Sequence, residues 1–246
     1  MKRRYFLGTL LGTAAIAALG GCSPFYPSAT IRYRMTVEVE TPQGIKTGSS
    51  VIETTIQSGP RIGEAGGVSY HYRGEAVAVD LPGGKTLFAL MTGGSSGADY
   101  HAHLLNDALT YGTTTPALSR KYKSEEWLQE RREAARVKPF IVLPLGMPPS
   151  RFGPRSCYPM LVTFGDVGDP KTVEKVDPDD LAKSFGPGMT LKRITLQITD
   201  EPVTTGIEKR LGWLLRLHGG YLHGGFTSRD APLGLSGGVF STENFK

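Results

Sequence analysis

The chain has only two cysteines, Cys22 and Cys157, so no framework of disulfides can hold it together. Charge of one sign is also scarce. The formal net charge is +5, but three of the 28 basic residues are Lys2, Arg3 and Arg4, and the rest nearly balance the 23 acidic ones. No basic stripe with interleaved aromatics runs along the chain, and nucleic acid is not expected as a partner. Glycine is plentiful, with 32 residues, yet it follows no period of three, no long charge run appears and no internal repeat is visible, which excludes collagen-like and low-complexity chains. Long hydrophobic runs are missing apart from one, Phe6 to Leu19, interrupted by Gly8, Thr9, Gly12 and Thr13. That run falls short of the roughly 20 apolar residues a membrane-spanning helix needs.

What is present is concentrated at the N-terminus. Lys2, Arg3 and Arg4 form a positive leader to the apolar run, and the run ends in small residues before Ser23-Pro24. This is the pattern of a cleavable export signal over residues 1–21. Leu19-Gly20-Gly21-Cys22 resembles the lipobox of bacterial lipoprotein precursors, with the cysteine last. The resemblance covers residues 1 to about 23. It implies diacylglycerol on the Cys22 thiol, cleavage before Cys22, and possible acylation of the new amino group. Two or three acyl chains make attachment lasting where one is marginal. Ser23 stands where that family uses aspartate to retain proteins at the inner membrane, so the resemblance implies an outer-membrane destination facing the periplasm. Arg3-Arg4-Tyr5-Phe6-Leu7 also resembles the twin-arginine export signature, from which Lys2 and Gly8 depart.

The mature chain, with 39% hydrophobic residues overall, is long enough for one domain with a proper core. Residues 22–30 read as a lipidated tether, 31–218 as an α+β domain, and 219–246 as a glycine-rich hairpin or tail. Ile31, Tyr33, Met35, Val37 and Val39 alternate with Arg32, Arg34, Thr36, Glu38 and Glu40, the period of a half-buried strand. Pro42-Gln43-Gly44 turns it into a second strand at 46–57. A further pair is expected at 68–81 and 85–92 around Pro82-Gly83-Gly84, with a bulge at Gly74 where the apolar parity changes.

A helix over 97–110 places Tyr100, Leu104, Leu105, Ala108 and Leu109 on one side. Ser124 caps a charged helix to about Ala135, in which Arg131, Arg132, Glu130 and Glu133 read as a solvated face. Phe140 to Leu143 reads as a buried strand, Tyr158 to Phe164 as another, and Ile194, Leu196 and Ile198 mark a third. Asp177 is expected to cap a helix with Pro178 at its first position. Thr205-Gly206-Ile207-Glu208 should open another as a capping box, with Ile207, Leu211, Leu214 and Leu215 inward and Gly219 at its C-terminal cap. Hairpins first and helices later predict an α+β fold, N-terminal antiparallel β-hairpins followed by mixed helices and strands in a single domain. The stretch from Tyr158 to Trp213 is similar to an uncharacterised group of bacterial exported proteins, a resemblance that implies no activity, fold or site.

Several constellations invite chemistry. Gly93-Gly94-Ser95-Ser96-Gly97 fits G-x-S-x-G between a strand and a helix, the setting of a nucleophile elbow, and Asp166 or Asp169 and then His218 or His223 follow in hydrolase order. Against this, hairpins precede the motif and no HGGG-like oxyanion loop does; Ser96 with Asp99 also reads as a helix cap. His101 and His103 lie two helical positions apart, unsuited to one metal ion, and His101 falls near the apolar side of the helix, as a hydrogen-bonded core histidine would. His218 and His223, with Asp230, lack a known ligand spacing. Asp166, Asp169, Asp177, Asp179 and Asp180 lack the EF-hand order and read as loop and cap residues. Cys157 reads as a small packing residue. No catalytic residue, metal or cofactor is therefore expected. The sequence predicts a lipid-anchored cell-envelope protein with a binding or interaction domain and an envelope partner. A membrane-anchored serine hydrolase using Ser95, and a structural or assembly lipoprotein, are the alternatives.

Overall fold

Alternation of apolar and polar residues makes β1 (Ser28–Thr41) the central element, because it can bury every odd-numbered side chain against one face. In the computed structural model, which describes residues 27–58, 68–93, 100–111, 125–143, 158–217, 219–225 and 231–243, Tyr33, Met35, Val37 and Val39 are all fully enclosed. A two-residue turn at Pro42-Gln43, followed by Gly44 at φ +96°, folds β1 onto β2 (Gly44–Ser58) in antiparallel register from Thr41↔Gly44 to Ser28↔Gln57. β1 begins at Ser28, three residues before the expected start, because Ala29 and Thr30 continue both the pairing and the alternation.

The run expected as one bulged strand over 68–81 is two strands in different sheets. β3 (Val68–Arg73) pairs with β2, whereas β4 (Val77–Asp80) pairs with β5 (Thr86–Gly93). The chain changes sheet at Gly74, whose φ of +146° only glycine adopts readily. The parity change seen in the sequence is real, but its cause is a crossover and not a bulge. A second glycine lets the two sheets come close: a Cβ on Gly48 would lie 2.1 Å from the Ala78 carbonyl oxygen.

The remaining elements are α1 (Tyr100–Tyr111), α2 (Glu125–Arg136), β6 (Phe140–Leu143), β7 (Pro159–Phe164), β8 (Val173–Val176), α3 (Leu181–Phe185) and β9 (Thr190–Ile198). They complete a five-stranded sheet in the order β3-β2-β1-β9-β6 and a four-stranded sheet in the order β4-β5-β7-β8, with every pairing antiparallel. The protein is an α+β single domain of two antiparallel sheets and helices, as the hairpin pattern predicts.

One core lies between the sheets. Val37, Ile52, Ile194 and Leu196 from the larger sheet meet Val79, Leu87, Ala89 and Leu161 from the smaller, and α1 adds Tyr100, Leu104, Leu105, Ala108 and Leu109 on the expected face. The smaller sheet is covered on its back as well. Phe88, Leu90, Val162 and Phe164 there form a second core with Trp213, Leu222, Leu235 and Phe240. This explains why β5 reads as an unbroken apolar run and not as an alternation, since a strand buried on both faces has no solvent side.

The described residues of the glycine-rich stretch from 219 thus contribute to this second core through Leu222, Leu235 and Phe240. Phe88, Phe164, Trp213 and Phe240 pack with ring centroids 5.5 to 6.3 Å apart. The C-terminal segment also clamps the sheet crossover: the Ala76 amide donates to the Phe240 carbonyl at 2.8 Å, and the Thr242 amide to that of Gly74 at 3.0 Å.

Other local expectations are corrected by tertiary packing. Phe140 to Leu143 is not a buried strand but an edge strand, with Phe140 and Val142 exposed. Asp177 makes a turn, accepting from the Asp179 amide, and the helix starts later with Asp180 as its cap. The expected capping-box helix is replaced by two 3-10 turns, Ile207–Lys209 and Leu214–Leu217, and Leu215 faces solvent. The carboxylate that holds the first of these turns is Glu75, 132 residues upstream, which accepts from the Ile207 amide at 2.9 Å. Arg131 is not on a solvated face. Its guanidinium stacks 3.9 Å from the Trp127 ring centroid and donates to Asn106 on α1 at 2.7 Å, which seals the two helices together.

Candidate functional site

The residues of the predicted signal, the predicted lipid-attachment residue Cys22, and the motif residues Ser95, Ser96 and Asp99 lie outside the described residues, as do Cys157, His218, Asp230 and the expected cap Ser124. The elements flanking the serine motif, β5 before it and α1 after it, are described. β5 ends at Gly93, opposite Pro159 at the start of β7, while Asp166 and Asp169 follow the far end of β7. The seven residue steps from Thr86 to Gly93 put about 23 Å between the two ends of β5. β5 is moreover antiparallel to both neighbours, whereas a nucleophile elbow of the α/β-hydrolase kind crowns a parallel sheet.

Asp166 and Asp169 serve the backbone locally. Asp166 accepts from the Gly168 amide at 2.8 Å, and Asp169 caps a 3-10 turn through the Lys171 amide at 2.9 Å. Asp180 does the same for α3. Among the described residues no three histidine, cysteine or acidic side chains converge as metal ligands.

The histidines of α1 have packing roles. His101 is buried in the first core, ringed by Tyr33, Tyr72 and Tyr100, with its Nδ1 2.6 Å from the Tyr33 hydroxyl. Burial drives its imidazole down to about 3, with the Leu90 backbone acting in the opposite direction, so the ring is neutral. Burial likewise pushes the Tyr33 hydroxyl far up. A neutral ring with its proton on Nε2 lets Tyr33 donate to Nδ1. His103, on the same helix, rests against the Tyr70 ring at 5.7 Å.

The other perturbed groups are also structural. Burial raises the Glu75 carboxyl, while the amide of Ile207 opposes the shift. Asp80 is held below the usual carboxylate range by Arg210, which donates to both its oxygens at 2.5 and 2.7 Å. These groups are dispersed over the fold and each is matched to a partner in the chain, unlike the converging acid and base of a catalytic cleft.

The outer face of the five-stranded sheet lies opposite the core. It carries Arg32, Arg34, Thr36, Glu38 and Glu40 of β1, with their cross-strand partners on β2 and β9. Charges there are laid out in pairs: Glu53 lies between Arg32 at 2.7 Å and Arg73 at 3.5 Å, Arg193 meets Glu38 at 2.8 Å, and Arg34 meets Glu201. The 199–206 segment crosses part of this face, from the Arg32 carbonyl to the Val51 backbone. Composition and periodicity mark Arg32 to Glu40 as solvent-facing, but the reciprocal charges of Arg73 and Glu201 become neighbours only through the fold. No family model, curated protein or solved structure matches the chain.

Proposed function

We propose that this protein is a lipid-anchored component of a bacterial cell envelope, held through Cys22 and acting by contact and not by catalysis. The single observation that carries the reading is the order of residues 2–22: three cations, a short apolar run, and Leu19-Gly20-Gly21-Cys22. Processing before Cys22 leaves only Ser23 to Pro27 ahead of β1. The six steps from Cys22 to Ser28 span at most about 20 Å at roughly 3.3 Å each. The domain therefore stands against the membrane that holds it, the outer membrane by the serine after the cysteine. Its paired charges on the outer sheet face suit a polar envelope component, because arrays of alternating sign fix orientation more than they add affinity. Cys22→Ala should abolish incorporation of labelled fatty acid and release the protein from membranes. Persistent labelling of that variant would remove the basis of this reading.

A further inference from the structure

Three of the six large apolar side chains exposed among the described residues lie within six positions of one another: Val137 at 71%, Phe140 at 56% and Val142 at 48%. Phe140 and Val142 share the outer side of edge strand β6, and Val137 sits in the turn joining α2 to it. Cations flank them. Arg136 and Lys138 are mostly exposed, and Arg132, one turn back on α2, reaches the Ser28 carbonyl. Glu133 and Asp200 stand opposite Arg136 and Lys138, so the patch is close to neutral.

The contact from Arg132 to Ser28 ties this patch to the point where the chain enters the domain. Cys22 is six residues before Ser28, a reach of about 20 Å at full extension. We propose that the Val137, Phe140 and Val142 end of the larger sheet is a docking surface for the phospholipid headgroup layer, which orients the domain on its membrane; this rests on the lipid-anchor reading above. Partial insertion of apolar side chains, with arginine and lysine reaching up to the phosphates, is how amphipathic surfaces settle at this interface. The near-neutral charge makes insertion and not attraction the main contribution, so the contact should weaken little with added salt. A second copy pairing along the β6 edge is the rival occupant, but four residues of edge offer few backbone hydrogen bonds.

The opposite end of the same face supplies an internal control. Phe140 aligns through Gln197 with Arg34, whereas Ile45 aligns with Glu40, six residues further along β1 and about 20 Å more distant from the tether. Ile45 is comparably exposed, at 51%. The test uses the full acylated protein, purified from membranes and placed in vesicles of phosphatidylethanolamine and phosphatidylglycerol, with brominated phospholipid as a contact quencher. Phe140→Trp and Ile45→Trp are compared after subtracting the signal of the parent protein, whose Trp127 and Trp213 are buried. Phe140→Trp should emit at shorter wavelength and be quenched several-fold more than Ile45→Trp. Equal quenching at both sites would overturn the docking proposal, as would a blue shift at Phe140→Trp without quenching, which would mean that protein covers the patch. Fatty-acid labelling and vesicle flotation of the same samples separate the two claims: an unlabelled protein that fails to float overturns the anchor and the docking surface together, whereas a labelled, floating protein without quenching overturns docking alone.

Discussion

Replacing Phe240 with alanine should lower the unfolding free energy by about 3 to 5 kcal/mol, the usual cost of truncating a fully enclosed phenylalanine. Phe240 is completely buried and touches three other rings, Phe88, Phe164 and Trp213. Its backbone carbonyl also receives the Ala76 amide at the crossover between the sheets, so the ring and the clamp share one segment. Against the 5 to 15 kcal/mol typical of a whole domain, such a loss is severe. Denaturant titration of the purified protein checks it. A change below about 1 kcal/mol would mean that the C-terminal segment is dispensable to the back of the smaller sheet.

The second large effect is a dependence on pH. The His101 imidazole is held neutral by burial, with its folded value depressed to about 3 from the ordinary 6.5. Below 6.5 the unfolded chain binds a proton that the folded chain refuses. Stability contributed by this group is therefore complete above 6.5, falls as pH drops through the window from 6.5 toward 3, and is lost below it. Moving from pH 7 to pH 4.5 should cost about 3 kcal/mol from this residue. His101→Gln keeps an acceptor for the Tyr33 hydroxyl but cannot titrate, so its stability should vary less over the same interval by about that amount. Parallel pH profiles for the two proteins would contradict the buried, neutral histidine.

Both effects depend on neighbours that are remote in sequence, and this divides what was legible beforehand from what was not. β1 and β2 were readable because strict alternation and a turn are local signals, and the inward face of α1 followed from a period near four. The histidine at position 101 was readable as a core residue for the same reason, although its partner Tyr33 was not. The sheet change at Gly74 left only a parity shift, which a bulge would produce equally. Leu222, Leu235 and Phe240 follow no period among their glycines, and their burial is decided by rings up to 152 residues away. Arg131 looked like one charge among several on α2; its position four residues after Trp127 was the available sign that it would stack instead. The proposed anchor motif is the opposite case, since it is a local run of residues that requires no fold to be read.

The most direct test of the proposed anchoring is the intact and N-terminal peptide mass of the protein recovered from membranes. The account predicts a mature chain beginning at Cys22, heavier than its residues by a thioether-linked diacylglycerol, with or without a further acyl group on the new amino terminus. An unmodified Cys22, or a chain that still carries Lys2, Arg3 and Arg4, would contradict it.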